Sequence, residues 1–225
     1  MQKVSCIIAA YNEHDRIGNV LKVVNDHPLL EEVIVVDDGS KDNTADVVLQ
    51  FSNVRLIVQP KNHGKSFAVY TGLKNCKSDL VFFLDADLIG LTANDITNLI
   101  HPVTQGIADI SISLRKNSPL LDRIIGIDYL SGERVFSKKI IQPYLEEIGK
   151  IHGFGLEVFL NRIIIKNRLR IKIVHWDGVI SPYPSKKVGT WQGTKNFIGM
   201  LSDMFKTVSV FEILGQIISL LEQKV

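Results

Sequence analysis

Five short apolar runs rich in β-branched residues punctuate the first half of the chain. They are residues 4–10, 33–36, 54–58, 80–84 and 107–114. Each is apolar nearly throughout rather than alternating, the pattern of strands covered on both faces. Between them, residues 13–25, 43–51, 65–75 and 93–100 have helical spacing. Strand–helix alternation at this interval implies βαβ units and a mostly parallel sheet flanked by helices. Thr92 and Asp95 stand at the spacing of a capping box, which would start the fourth helix.

The second half is less regular. Residues 120–129 read as a helix, 132–136 as a short strand, 156–166 as a helix and 169–176 as a strand. Pro182, Pro184 and Gly189 mark a loop, and helical spacing resumes from Thr194 to the end. A chain of 225 residues buries roughly 70% of its unfolded surface, enough for one sizeable core. The organisation expected is one catalytic-size domain over 1–190 and a helical tail over 191–225. No repeat or low-complexity segment interrupts it.

Lys plus Arg number 26 and Asp plus Glu 24, a net charge of +2. That balance gives no electrostatic footprint for nucleic acid. Two cysteines, Cys6 and Cys76, are too few for a disulfide framework and suit the reducing cytoplasm. The first apolar run ends at once in Tyr11-Asn12-Glu13, unlike a signal peptide. No uncharged apolar stretch of 18 residues occurs, so no membrane-spanning helix is expected.

Ligands of an open parallel sheet bind outside the carboxyl ends of its strands. The first strand ends in Ala10-Tyr11-Asn12-Glu13, the second in Asp37-Asp38-Gly39-Ser40. Asn62-His63-Gly64-Lys65-Ser66 follows the third, and the fourth ends in Asp85-Ala86-Asp87. Four strands thus deliver polar groups to one edge. In extended backbone Asp85 and Asp87 point the same way, about 7 Å apart. This DXD motif offers hard oxygens for Mg²⁺ or Mn²⁺ shared with substrate phosphates. Asp38 can accept an N–H of uracil or guanine, or a ribose hydroxyl. Gly64-Lys65-Ser66 ends like a phosphate-binding loop, but Gln59 replaces its first glycine. The helix start still offers free N–H groups and the Lys65 charge to an anion.

These segments, in this order and spacing, resemble family 2 glycosyltransferases with the GT-A fold. The resemblance runs through residues 4–90 and more weakly to about 180. It implies a nucleotide-diphosphate-sugar donor, UDP- or GDP-linked, held by the 1–115 half. Ala10, Tyr11 and Glu13 would line the base and ribose pocket, Asp38 would read the base, and Lys65 would lie near base or diphosphate. Asp85 would sit near the ribose, and Asp87, with Asp85, would hold the metal. The second half is similar to the polyprenyl-phosphate branch of that family, which includes dolichyl-phosphate mannose synthases. Residues 128–136, Asp-Tyr-Leu-Ser-Gly-Glu-Arg-Val-Phe, resemble the branch's segment on the acceptor phosphate. Ser131 and Arg134 carry over, with Arg115 and Arg123 as companions. Where that segment has phenylalanine this chain has Glu133, and where the branch has a glutamine ligand it has Ile89. Gly153-Phe154-Gly155-Leu156-Glu157 matches a further segment of the branch.

The resemblance implies a metal-dependent transferase acting on a polyprenyl-phosphate-type lipid through a 116–190 acceptor half. Alternatives are a soluble phosphorylated or hydroxyl acceptor and, more remotely, a nucleotide-binding protein of the phosphate-loop kind. The Gly132-Glu133 pair is also similar to glucosyl-3-phosphoglycerate synthases, in which a C-terminal histidine joins the metal; His175 is the nearest candidate. Glu157 is the expected base for a hydroxyl acceptor. A phosphate acceptor needs none, being largely ionised at pH 7, and arginines would hold it. Asp87, Glu157 and Arg134 are therefore the expected catalytic residues, and His152 and His175 otherwise read as structural. In the tail, Phe197, Leu201, Met204, Val208, Phe211, Leu214, Ile218 and Leu221 form an apolar stripe. Gly199, Ser202, Lys206, Ser209, Gln216, Ser219 and Gln223 lie opposite. This amphipathic helix would pack on the domain, on a second copy, or in the interface of the cytoplasmic membrane face.

Overall fold

The computed structural model describes residues 3–151, 155–182 and 209–225. His152, Gly153, Phe154, Pro184, Gly189 and the expected helical positions from 194 to 208 lie outside the described residues.

Seven strands form one sheet in the order β3-β2-β1-β4-β6-β5-β7. They are β1 (Val4–Ala10), β2 (Leu30–Asp37), β3 (Val54–Val58), β4 (Leu80–Asp85), β5 (Ile110–Arg115), β6 (Arg134–Ser137) and β7 (Ile171–Trp176). All run parallel except β6, which lies antiparallel between β4 and β5. The helices that matter below are α1 (Ile17–Val24), α2 (Thr44–Val48), α3 (Lys65–Asn75) and α4 (Ala93–Thr104). After them come α5 (Leu120–Ile125), α6 (Lys138–Ile141), α7 (Leu145–Ile148), α8 (Gly155–Lys166) and α9 (Val210–Glu222).

The core confirms why the strands read as uninterrupted apolar runs. Cys6, Ile8, Phe82 and Leu84 face one buried layer with Ile17, Leu21, Ile96 and Ile100. Ile7, Val81 and Phe83 face the other, with Val69, Leu73, Ile163 and Ile164. Successive side chains therefore feed opposite layers, and both faces are covered by helices.

Local chemistry explains where the elements depart from the expected boundaries. Thr92 does cap α4: Asp95 N donates to Thr92 Oγ1 at 3.2 Å, and Thr92 N donates back to Asp95 Oδ2 at 2.9 Å. The strand expected from residue 107 starts at Ile110, because Ile107 N and Ala108 N donate instead to Pro102 O. The helix expected over 120–129 stops at Ile125. Gly126 follows in the left-handed conformation (φ 75°) and caps it.

The tail also differs from expectation. Ser209 caps α9, and the face that docks is Ile213, Gln216, Ile217 and Leu220. Gln216, expected on the polar side, is buried and accepts a hydrogen bond from Tyr129 Oη at 2.8 Å. Phe211, Leu214 and Ile218, expected to be the packing stripe, are exposed. The helix carries apolar residues on both sides, so periodicity alone could not choose its buried face. Its end returns to the sheet, where Val225 N donates to Ile171 O at 2.9 Å. Among the described residues no helix is long and apolar enough to cross a membrane.

Candidate functional site

The carboxyl ends of β1, β2, β4 and β5 and the start of α3 open on one cleft of about 510 Å³. Ala10, Tyr11, Glu13, Asp38, Lys65, Asp85, Asp87, Arg115 and Glu157 all line it. The structure thus gathers nine of the expected residues from six segments of the chain.

At the ends of β1 and β2 the loops lock one another through backbone donors. Asn12 adopts positive φ (56°); its N–H donates to Ser40 Oγ at 2.9 Å, and its Oδ1 accepts from Lys41 N at 2.8 Å. Asp37 Oδ1 accepts from both N and Oγ of Ser40. Asp38 accepts from His63 N at 3.0 Å and Gly64 N at 2.7 Å, so it holds the loop that starts α3 as well as lining the cleft. Burial raises the Asp38 pKa above the usual carboxylate value, against the pull of those two donors. Gly39 (φ 71°) is required here, since a Cβ would sit 2.6 Å from the Lys61 carbonyl carbon. Glu13 accepts from Arg16 Nε at 2.5 Å, and its own N–H donates to Thr44 Oγ1 at 2.8 Å.

The floor is ionic. Lys65 Nζ donates to Asp85 Oδ1 at 2.7 Å and to Glu157 Oε1 at 2.8 Å, tying α3, β4 and α8 together. Burial lowers the Lys65 pKa, but Asp85 and Glu157 outweigh it and hold the ammonium well above its usual value. Glu157, in the first turn of α8, is thus the partner of a cation. Arg115 Nη1 donates to Glu133 Oε1 at 3.1 Å and Nη2 to Asp128 Oδ2 at 3.3 Å, while Nη1 lies 4.0 Å from Asp85 Oδ2. Gly132 makes the floor possible: a Cβ there would lie 2.6 Å from Asp85 Oδ1 and 2.7 Å from Lys65 Nζ.

Three expected acceptor residues, Arg134, Ser131 and Arg123, do not reach the cleft. Arg134 is fully buried. Its guanidinium donates to Ser131 O at 2.8 Å, Asn161 Oδ1 at 2.7 Å and Tyr129 O at 3.3 Å, clamping the 129–131 turn to α8. Burial lowers its pKa from the usual arginine value. Ser131 is also fully buried, with its Oγ 2.9 Å from both Ser113 Oγ and Glu133 Oε2. Both face inward because β6 is an interior strand whose flanking residues meet the core layers. Arg123 and His175 are exposed and line no part of the cleft.

Other cleft residues come from loops after β5 and β7. Asn117 and Ser181 exchange hydrogen bonds of 2.6 and 3.1 Å through Nδ2 and Oδ1 of Asn117. Ser118 Oγ donates to Asp128 Oδ2 at 2.6 Å, and Ser181 Oγ lies 3.2 Å from Asp87 Oδ2. Applying the strand-end rule to β5 and β7 would have found Asn117, Ser118 and Ser181.

The donor set fits a hard divalent cation. Among the described residues the lining holds six carboxylates (Glu13, Asp38, Asp85, Asp87, Asp128 and Glu157) against two cations, Lys65 and Arg115. Such a cleft repels a nucleotide unless a cation inverts the local charge. Asp85 faces Lys65 and Arg115, and Asp87 faces Ser181. Among the described residues no three His, Cys, Asp or Glu side chains form a ligand cluster. Mg²⁺ and Mn²⁺ can complete their shells from substrate phosphates and water.

A family model described as "Glycosyl transferase family 2" matches residues 5–152. A dolichyl-phosphate beta-glucosyltransferase of Trichomonas vaginalis is 34% identical over 139 residues, 53% of this chain and 42% of that protein. A dolichyl-phosphate beta-glucosyltransferase of Dictyostelium discoideum is 28% identical over 182 residues, 72% of this chain and 50% of that one. The chain therefore spans half or less of the length of these relatives. Glucosyl-3-phosphoglycerate synthase of Mycobacterium tuberculosis, solved with Mn²⁺, UDP and glucosyl-3-phosphoglycerate, superposes with a TM-score of 0.67 at 21% identity. The match covers 91% of this chain and 79% of that one. That likeness carries the fold, a GT-A sheet as the sequence implied.

Proposed function

This chain belongs to glycosyl transferase family 2, and on that premise we propose that it moves a sugar from a nucleoside-diphosphate donor to a polyprenyl-phosphate-type lipid. The observation that carries the reading is the cleft itself, where Asp38, Lys65, Asp85 and Asp87 meet Arg115. The names of the relatives in Trichomonas and Dictyostelium support the lipid phosphate. The Mn²⁺ and UDP bound by the mycobacterial synthase support the donor and metal.

In this reading residues 1–115 hold the donor. Tyr11, Glu13 and Asp38 surround base and ribose, and the N–H groups at the start of α3 face phosphate. Asp87, with Asp85 beside it, would hold Mg²⁺ or Mn²⁺. The cation supplies Lewis-acid stabilisation of the leaving diphosphate. Residues 116–190 serve the acceptor, with Arg115 at the boundary receiving its phosphate. Lys65 keeps Asp85 and Glu157 neutralised beside the reacting groups. Glu157 spends its Oε1 on Lys65; that suits an acceptor already ionised at pH 7, which needs no base.

Leu120, Leu121 and Ile124 on α5 and Phe211, Leu214 and Ile218 on α9 are exposed apolar residues. The two helices are tied where Lys224 Nζ donates to Gly126 O at 3.0 Å. We read them as the contact with the cytoplasmic face of a membrane. The function is tested by incubating the full chain with Mn²⁺, radiolabelled UDP-glucose or GDP-mannose, and a polyprenyl phosphate in vesicles. Label should enter the organic phase as a sugar-phosphate lipid. Label transferred instead to a soluble phosphate such as 3-phosphoglycerate would overturn the lipid reading.

A further inference from the structure

Three consecutive residues below the cleft divide its construction between them. Gly132 leaves room for the Lys65–Asp85 pair. Arg134 clamps the 129–131 turn. Glu133, between them, has no solvent exposure and does not line the cleft.

A carboxylate removed from water is costly unless it is paired and hydrogen-bonded. Glu133 is both: Oε1 accepts from Arg115 Nη1 at 3.1 Å, and Oε2 accepts from Ser113 Oγ at 2.7 Å and Ser131 Oγ at 2.9 Å. Its carbonyl accepts from Ser113 N at 3.1 Å, which fixes its backbone against β5.

The two terminal nitrogens of Arg115 are held by two different acids, Glu133 on Nη1 and Asp128 on Nη2. One anchor would leave the guanidinium free to turn; two fix its plane. A third acid, Asp85, lies 4.0 Å from Nη1. Arg115 Nε is buried with no hydrogen-bond partner among the described residues.

Resting on the acceptor reading above, we infer that Glu133 is a positioning residue: through Arg115 it sets the geometry in which the cleft holds the acceptor phosphate. The bonds above are its whole machinery, because it lines no part of the cleft.

The test is calorimetric titration of the full chain, first with UDP and Mn²⁺, then with farnesyl phosphate in their presence. Glu133→Gln keeps the shape and removes the charge. It should weaken farnesyl phosphate by roughly 10-fold and leave the UDP affinity within about twofold. On an Arg115→Ala background the same change should add nothing, since Glu133 acts only through that side chain. Ser113→Ala keeps the charge and removes one of its anchors. It should weaken farnesyl phosphate by a smaller factor, and it serves if Glu133→Gln fails to fold. Unchanged farnesyl phosphate affinity, equal losses for both ligands, or an undiminished loss without Arg115 would overturn the assignment. A wild-type chain that binds UDP but no farnesyl phosphate would instead overturn the acceptor reading, and this assignment with it.

Discussion

The two sides of the cleft are built by different means. On the donor side, short loops at the ends of parallel strands hold their acids with backbone N–H groups: Asp37 by Ser40, Asp38 by His63 and Gly64. On the acceptor side, buried side chains hold one another: Arg115 by Glu133 and Asp128, Arg134 by Asn161. A backbone-held carboxylate keeps its place through the fold of one loop. A buried ion network depends on every member, because removing one leaves an uncompensated charge.

The sharpest way to break this contrast is at the metal. Asp87→Ala should lower donor turnover by roughly 100-fold or more, since several kcal/mol of charge stabilisation would go. A thermal melt of the variant separates lost metal binding from lost fold. Turnover within a few-fold of wild type would sink the assignment of Asp87 to the metal.

Gly132→Ala strikes the point where the two sides meet. Its Cβ would lie 2.6 Å from Asp85 Oδ1 and 2.7 Å from Lys65 Nζ. The Lys65–Asp85 pair must then move, at a cost of about 1–3 kcal/mol. For a chain of this size each kcal/mol is about 2–4 °C in the thermal midpoint. An unshifted midpoint would show that the floor yields more easily than its spacing implies.

The smallest effect separates the sides by pH. Burial raises the Asp42 pKa on the donor side, but hydrogen bonds from Thr44 and His14 overcome it and bring the carboxyl down to about 2. Its contribution is present above the unfolded value of 3.8 and is lost as pH falls towards 2. Asp122, on α5 of the acceptor side, is pushed up to about 7, chiefly by burial and then by Asp128. The folded chain therefore binds more protons than the unfolded one between about 4 and 7, and stability from this group falls as pH rises through that window. Thermal midpoints of wild type and Asp122→Asn should diverge between about pH 4 and 7, with wild type losing ground as pH rises. Parallel curves would remove Asp122 from the account.

Much of the donor side was legible before any coordinates. The apolar runs fixed β1 to β4, and the strand-end rule put Tyr11, Asp38, Lys65, Asp85 and Asp87 on one edge, where the cleft lies. That worked because each group is adjacent in sequence to the strand that carries it. The same rule would have reached Asn117, Ser118 and Ser181 had it been applied to β5 and β7. Nothing local distinguished Arg115, which lines the cleft, from Arg134, which is sealed in the core. That choice follows from β6 running antiparallel inside the sheet, a pairing of residues far apart in the chain. The buried face of α9 was undetermined for a related reason: apolar residues ring the helix, and contacts with Tyr129 and α8 select the side that docks. Periodicity and strand ends thus determined the sheet and the donor edge of this protein. Which charges are buried against each other was decided by tertiary structure, because ion pairs between distant segments leave no period in the sequence.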